Sequence, residues 1–185
     1  MKTIAIILSA LAHLIVASPG EDASRQVNVN WHSSSPGSFL ELTSASDTAF
    51  SKAGTYRPEE TLWSFGEGDS LFAQPRYVCK VSLDGLKRGS DYIYRIRSGE
   101  WKSDTFRFST SDGSRRWRFI AFTDFQPHAN PYTHNLVRMV DSLAGGSPLA
   151  VCSGDMIDTA VYQDQWEWLL DEPDFMGRFL FASSP

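Results

Sequence analysis

Tyr77-Val78-Cys79-Lys80-Val81-Ser82-Leu83 alternates apolar and polar side chains, and Tyr92-Ile93-Tyr94-Arg95-Ile96-Arg97 follows with aromatic and β-branched residues. A period of two sends successive side chains to opposite faces, so each run reads as a half-buried strand. Gly85, Gly89, Ser90 and Asp91 lie between the runs, which is turn chemistry. Working outward, Val27, Val29 and Trp31 alternate with polar residues, as do residues 39–43 and 105–109. Clusters of Gly, Pro, Ser and Asp separate these runs, and no segment between 26 and 111 carries a convincing helical period. Short strands at this spacing predict a two-sheet antiparallel sandwich within residues 24–112. Val29, Trp31, Val81, Leu83, Tyr92 and Tyr94 are expected in or near its core.

The pattern changes at Asp112-Gly113-Ser114-Arg115-Arg116, a polar, turn-rich boundary. An apolar run over 117–122 follows, interrupted by Arg118, and then a loop over 123–131 with two prolines. Leu136, Val140 and Leu143 recur at helical spacing and predict a helix over 132–143, ended by Gly145-Gly146. Residues 149–152 read as a second strand. Trp166, Leu169 and Leu170 suggest another helix, and 179–182 a third strand. Strands alternating with helices predict an α/β layer with a largely parallel sheet over 116–185. That layer is short for an independent core. Its last strand is expected to leave Phe179, Leu180 and Phe181 exposed at an uncovered edge.

Of the 185 residues, 42% are hydrophobic and 21% charged, an ordinary globular balance. The net charge is -5 and no basic run occurs, which argues against a nucleic-acid partner. Lys2, the apolar residues between Ile4 and Val16, small Ala17 and Ser18, and the breaker pair Pro19-Gly20 read as a secretory leader over 1–17, cleaved after Ala17. The mature chain is then expected to be secreted or lumenal and free of the membrane. Cys79 and Cys152 fall inside separate apolar strands and read as two buried thiols. No Asn-x-Ser/Thr sequon occurs, so N-glycosylation is not expected.

Two carboxylate turns stand out as chemistry. Asp124 follows the first apolar strand of the second half, and Gly154-Asp155 follows the second. Ligands of open α/β sheets bind at the carboxyl ends of the strands, and two neighbouring parallel strands would put both carboxylates on one edge. Carboxylate oxygens at such an edge can hold, and bridge, metal ions. An Asp after a strand is more often a turn former, so the joint pattern carries the weight. Gly68-Asp69 is the control: the same dipeptide in a polar loop, with no apolar strand leading in. His128 follows Gln126 by two residues and reads as a loop histidine within reach of a substrate. His134, His32, Trp166 and Trp168 read as surface or packing residues.

The pattern Asp124-x-Gln126, then Gly154-Asp155-x-x-Asp158, resembles the first two motifs of the calcineurin-like metallophosphoesterases. The preceding half resembles the fibronectin-type N-terminal domain of purple acid phosphatases. It does so in Val27-Asn28-Val29-Asn30-Trp31, in the stretch from Val81 to Arg95 and in Phe106-Arg107-Phe108-Ser109-Thr110. The resemblance implies a fibronectin III-like sandwich followed by the N-terminal part of a metallophosphoesterase domain. It implies hydrolysis of phosphomonoesters, on a small molecule or a phosphoprotein, by two metal ions drawn from iron, zinc and manganese. Asp124 would ligate the first metal, Asp155 would bridge both, and Gln126 stands where many relatives carry a ligating His. Asp158 stands where purple acid phosphatases carry an iron-binding Tyr, which leaves the metal pair open. Asp158 and His128 would support the ligands or meet substrate.

The family pattern continues with Gly-Asn-His-Asp/Glu, a further His and Gly-His-x-His, and none of these occurs in the chain. The acid that protonates the leaving group belongs to that later part. The resemblance therefore implies a fragment holding about half of a two-metal site, weak in hydrolysis by itself. The other reading is a secreted, non-catalytic β-sandwich binding module with a vestigial phosphoesterase remnant.

Overall fold

The computed structural model describes residues 12–63, 76–116, 118–124, 149–159 and 180–183, with single residues 126, 135, 139, 142, 165 and 169. Two antiparallel sheets form the first half. One runs in the order β1 (Ala12–Pro19), β2 (Val27–Ser33), β6 (Arg76–Leu83), β5 (Glu59–Trp63). The other contains β4 (Gly54–Tyr56), β3 (Phe39–Ser44), β7 (Asp91–Ser98) and β8 (Trp101–Lys102), with β9 (Phe106–Ser109) also paired to β7. Every predicted strand of this half is present, and no described residue within 26–111 is helical. Strands β1, β4, β5 and β8 had no expectation behind them, being short, polar or assigned elsewhere.

Alternation builds the core as expected. Val29, Trp31, Val81, Leu83 and Tyr94 are buried between the sheets with Leu40, Ile96 and Phe108, and Tyr92 packs against them partly covered. The buried Trp31 indole N–H is paired, donating to Ser38 Oγ at 2.9 Å. The turn before β7 is held by Tyr92, whose hydroxyl oxygen accepts the Lys87 N–H at 2.9 Å. A tyrosine bonding back to backbone a few residues upstream is the corner device of immunoglobulin-like sandwiches. On the outer face, Arg95 bonds Glu41 across the β3–β7 pair at 2.6 Å and lies over the Phe50 ring at 4.0 Å. Both cysteines are free and buried, as read from their apolar surroundings.

Residues 12–17, assigned above to a leader, are built into the sheet. β1 pairs antiparallel with β2 from Ala12↔Ser33 to Pro19↔Val27. Between His13↔His32 and Val16↔Asn30 the register slips, so Leu14 and Ile15 together oppose Trp31. Leu14 there adopts φ 52. Such a bulge bends a strand and re-aims its side chains. Both Leu14 and Ile15 are buried as a result, whereas regular alternation would turn one outward.

The second half contributes three short parallel strands, β10 (Ile120–Phe122), β11 (Leu149–Cys152) and β12 (Leu180–Ser183), in that order. Asn135, Met139 and Ser142 are helical, as are Gln165 and Leu169. The expected helices thus touch the described residues at five points, and Leu136, Val140, Leu143, Trp166 and Trp168 lie outside them. The first strand is shorter than the apolar run suggested. One expectation fails for two of its three residues: Leu180 and Phe181 are 4% and 5% exposed, not open to solvent, while Phe179 lies outside the described residues. The reason is β1. Leu180 joins the sandwich core and Leu149 packs against it, so the sheet is covered on this side by the strand read as a leader. Among the described residues, no helix is long and apolar enough to cross a membrane.

Candidate metal-binding edge

Phe122 and Cys152 stand opposite each other in the parallel β10–β11 ladder. The chain leaves both strands at the same edge, and the two loops are tied as they leave. Ser153 N–H donates to the Phe122 carbonyl at 3.1 Å, and Gln126 N–H donates to the Asp155 carbonyl at 3.3 Å. Thr123 Oγ1 donates to the Gly154 carbonyl at 3.4 Å. Asp124 and Asp155 therefore sit side by side in the fold, at the carboxyl ends of neighbouring strands, and both are exposed.

Their backbones share an unusual feature. Asp124 has φ 53 and Asp155 has φ 47, the left-handed region that side chains with a Cβ avoid. Aspartate tolerates it better than most residues. Gly154 enters the second turn at φ 134, which a residue with a side chain rarely adopts.

Beneath the edge lies Cys152, buried at the end of β11, its Sγ–H directed to the Gly154 carbonyl at 3.4 Å. Burial pushes its thiol above the usual range, and the Asp124 and Asp155 carboxylates add to the effect. The oxygen donors the sequence points to at this edge are the Asp124 and Asp155 carboxylates, with Gln126 beside them through its backbone N–H. Such a set fits a hard cation such as Mn²⁺ and accepts iron or zinc when nitrogen ligands join it. Among the described residues, no group of three or more His, Cys, Asp or Glu is gathered closely enough to hold an ion.

Asp158 is exposed in the loop beyond Asp155. That loop is pinned by a residue the sequence did not single out. Gln165, only 4% exposed, accepts the Asp158 N–H at 3.0 Å and the Thr159 N–H at 3.2 Å through its amide oxygen. A glutamine among helical residues carries no sequence signal for such a role. His128, His134 and the Gly68-Asp69 control lie outside the described residues.

Residues 13–110, more than half of the chain, match the family described as "Purple acid Phosphatase, N-terminal domain". The chain belongs to this family. Two solved structures share its fold. Purple acid phosphatase PPD1 from yellow lupin (Lupinus luteus) seeds is 13% identical with a TM-score of 0.72, covering 95% of this chain and 35% of that one. PhoD is 14% identical with a TM-score of 0.62, covering 95% of this chain and 39% of that one. The chain thus spans little more than a third of the proteins it superposes on. No curated protein sequence matches it. The match to the purple acid phosphatase N-terminal domain covers the sandwich and ends just before the Asp112–Arg116 boundary.

Proposed function

We propose that the chain supplies the N-terminal domain and the first metal-ligand loops of an exported, metal-dependent phosphomonoesterase. One observation carries the reading: Asp124 and Asp155 follow adjacent parallel strands at the same edge, and both are left-handed. Asp124 and Asp155 would hold the metal ions, and the Gln126 amide oxygen would be a further ligand or hydrogen-bond acceptor beside them. The metals are iron, zinc or manganese. When bound, they supply a hydroxide nucleophile at neutral pH and neutralise charge on a transferring phosphoryl group. Gln165 holds the loop carrying Asp158, and Asp158 and His128 support ligands or meet the substrate phosphate.

The family and both structural relatives support a phosphoesterase lineage. Export is supported by Lys2 and the apolar residues that follow it. The substrate is a phosphate ester on a small molecule or a protein, consistent with the absence of any basic run suited to nucleic acid.

The test is Mn²⁺ titration of the purified chain followed by electron paramagnetic resonance. Wild type should bind Mn²⁺, and Asp124→Asn and Asp155→Asn should each weaken it by at least the roughly tenfold that loss of a supporting residue costs a metal site. Equal binding by all three proteins removes the metal-edge reading and leaves the non-catalytic sandwich module in its place.

A further inference from the structure

β1 belongs to both halves of the molecule at once. Its backbone completes the first sheet against β2. Ala12, Ile15 and Ala17 enter the sandwich core, and Leu180 of β12 is buried in that same core with Leu149 packed on it. His13 accepts a hydrogen bond at Nε2 from the Arg76 guanidinium at 2.8 Å, across from β6. The family match also begins at residue 13, inside the segment that composition assigns to a leader. Cleavage after Ala17 would leave only Ser18 and Pro19 of this strand. It would uncover the edge of β2 and remove the residues that join β12 to the sandwich.

We propose that β1 is retained in the mature protein as the strand that mounts the parallel sheet on the sandwich, and that the Ala17–Ser18 bond is not a processing site. The apolar character of residues 12–17 serves core packing. The small side chain of Ala17, 1% exposed, sits in the buried core. A small residue just before a small polar one imitates a leader's end, because signal cleavage and tight packing both select for little side-chain volume. Retention rests on the strand itself. Its consequence, that β1 sets where the Asp124–Asp155 edge stands relative to the sandwich, rests on the metal reading above.

The experiment expresses the full chain with a C-terminal tag in an export-competent host. N-termini of protein from medium and cells are determined by sequencing and intact mass. Every cooperatively folded species should retain His13 and all residues after it. A chain that keeps Met1 and stays in the cell supports retention while removing the export reading. A folded, cooperatively melting protein that begins at Ser18 overturns the proposal. Ala17→Asp gives an independent arm. Retention predicts loss of the cooperative melt, because an unpaired carboxylate enters the core. A variant that melts like wild type but is no longer cleaved would mark Ala17 as a leader's last residue and overturn the proposal. Mn²⁺ binding by Asp155→Asn does not depend on the N-terminus, so failure of the metal reading is told apart from failure of this one.

Discussion

Asp124 and Asp155 both adopt a left-handed backbone, at φ 53 and φ 47, one at the end of each of two neighbouring parallel strands. Strain at one loop residue is common enough. The same strain in two adjacent loops, on two carboxylates, is the arrangement expected where geometry is kept for ligand binding at some cost in stability.

That relationship predicts a split between stability and binding. Asp124→Gly and Asp155→Gly relieve the left-handed strain, about 1 kcal/mol each, against a comparable loss from the freer unfolded chain. Thermal unfolding should therefore move by no more than about 1 kcal/mol in either variant, while Mn²⁺ binding falls. A large destabilisation would show that the carboxylates are structural turn formers.

Tyr92 and Tyr94, two residues apart on β7, should respond in opposite ways to loss of the hydroxyl. Tyr92 satisfies the Lys87 N–H, so Tyr92→Phe should cost about 1 kcal/mol in chemical denaturation. The Tyr94 hydroxyl is buried with no hydrogen-bond partner among the described residues, so Tyr94→Phe should be neutral or stabilising by up to about 1 kcal/mol. Burial also pushes the Tyr94 phenol above its ordinary 10.0. The folded state therefore holds its proton longer than the unfolded one, and stability should fall as pH rises past about 10. Tyr94→Phe should lose that part of the alkaline slope.

Asp47 governs the acid side. It accepts hydrogen bonds from the Lys52 N–H, the Ser51 N–H and hydroxyl, and the Thr43 hydroxyl. The Lys52 backbone bond, followed by the Ser51 hydroxyl, lowers its pKa from 3.8 to about 2. A depressed folded pKa adds stability that is present above 3.8 and lost as pH falls toward 2. Unfolding midpoints measured across that window should drop more steeply for wild type than for Asp47→Asn.

Gln165→Ala should free the Asp158 and Thr159 amides. Hydrogen exchange at those two positions should speed up about fivefold, matching the roughly 1 kcal/mol of a lost hydrogen bond. The sandwich amides of β2 and β6 should keep wild-type rates. Unchanged exchange at Asp158 and Thr159 would show that the loop is held by other contacts.

The sandwich was legible because its strands obey a local rule. Val27, Val29 and Trp31, or Tyr77 through Leu83, declare both strand and buried face through a period of two. Strands β4 and β5 carry no such signal, being mostly exposed, and take their conformation from the neighbours they pair with. The positions of Asp124 and Asp155 were readable as carboxylates following apolar strands. Their matching left-handed backbones were not, because φ at a single Asp depends on the loop around it. Gln165 was invisible for a related reason: its partners are backbone N–H groups of residues 158 and 159, and backbone groups are the same in every sequence.

The sequence by itself determined the alternation that makes the sandwich, the two free buried thiols and the order of carboxylate turns after apolar strands. These depend on side-chain pattern along a few consecutive residues. Only the tertiary structure showed residues 12–17 paired with β2 and Leu180 and Phe181 buried. An apolar run states that a segment must leave water, without naming what receives it. A leader's environment and a sheet between two halves of one core make the same demand on composition. The choice lies in long-range pairing, here Ala17 with Val29 and Leu180 with the sandwich core, which no local pattern encodes.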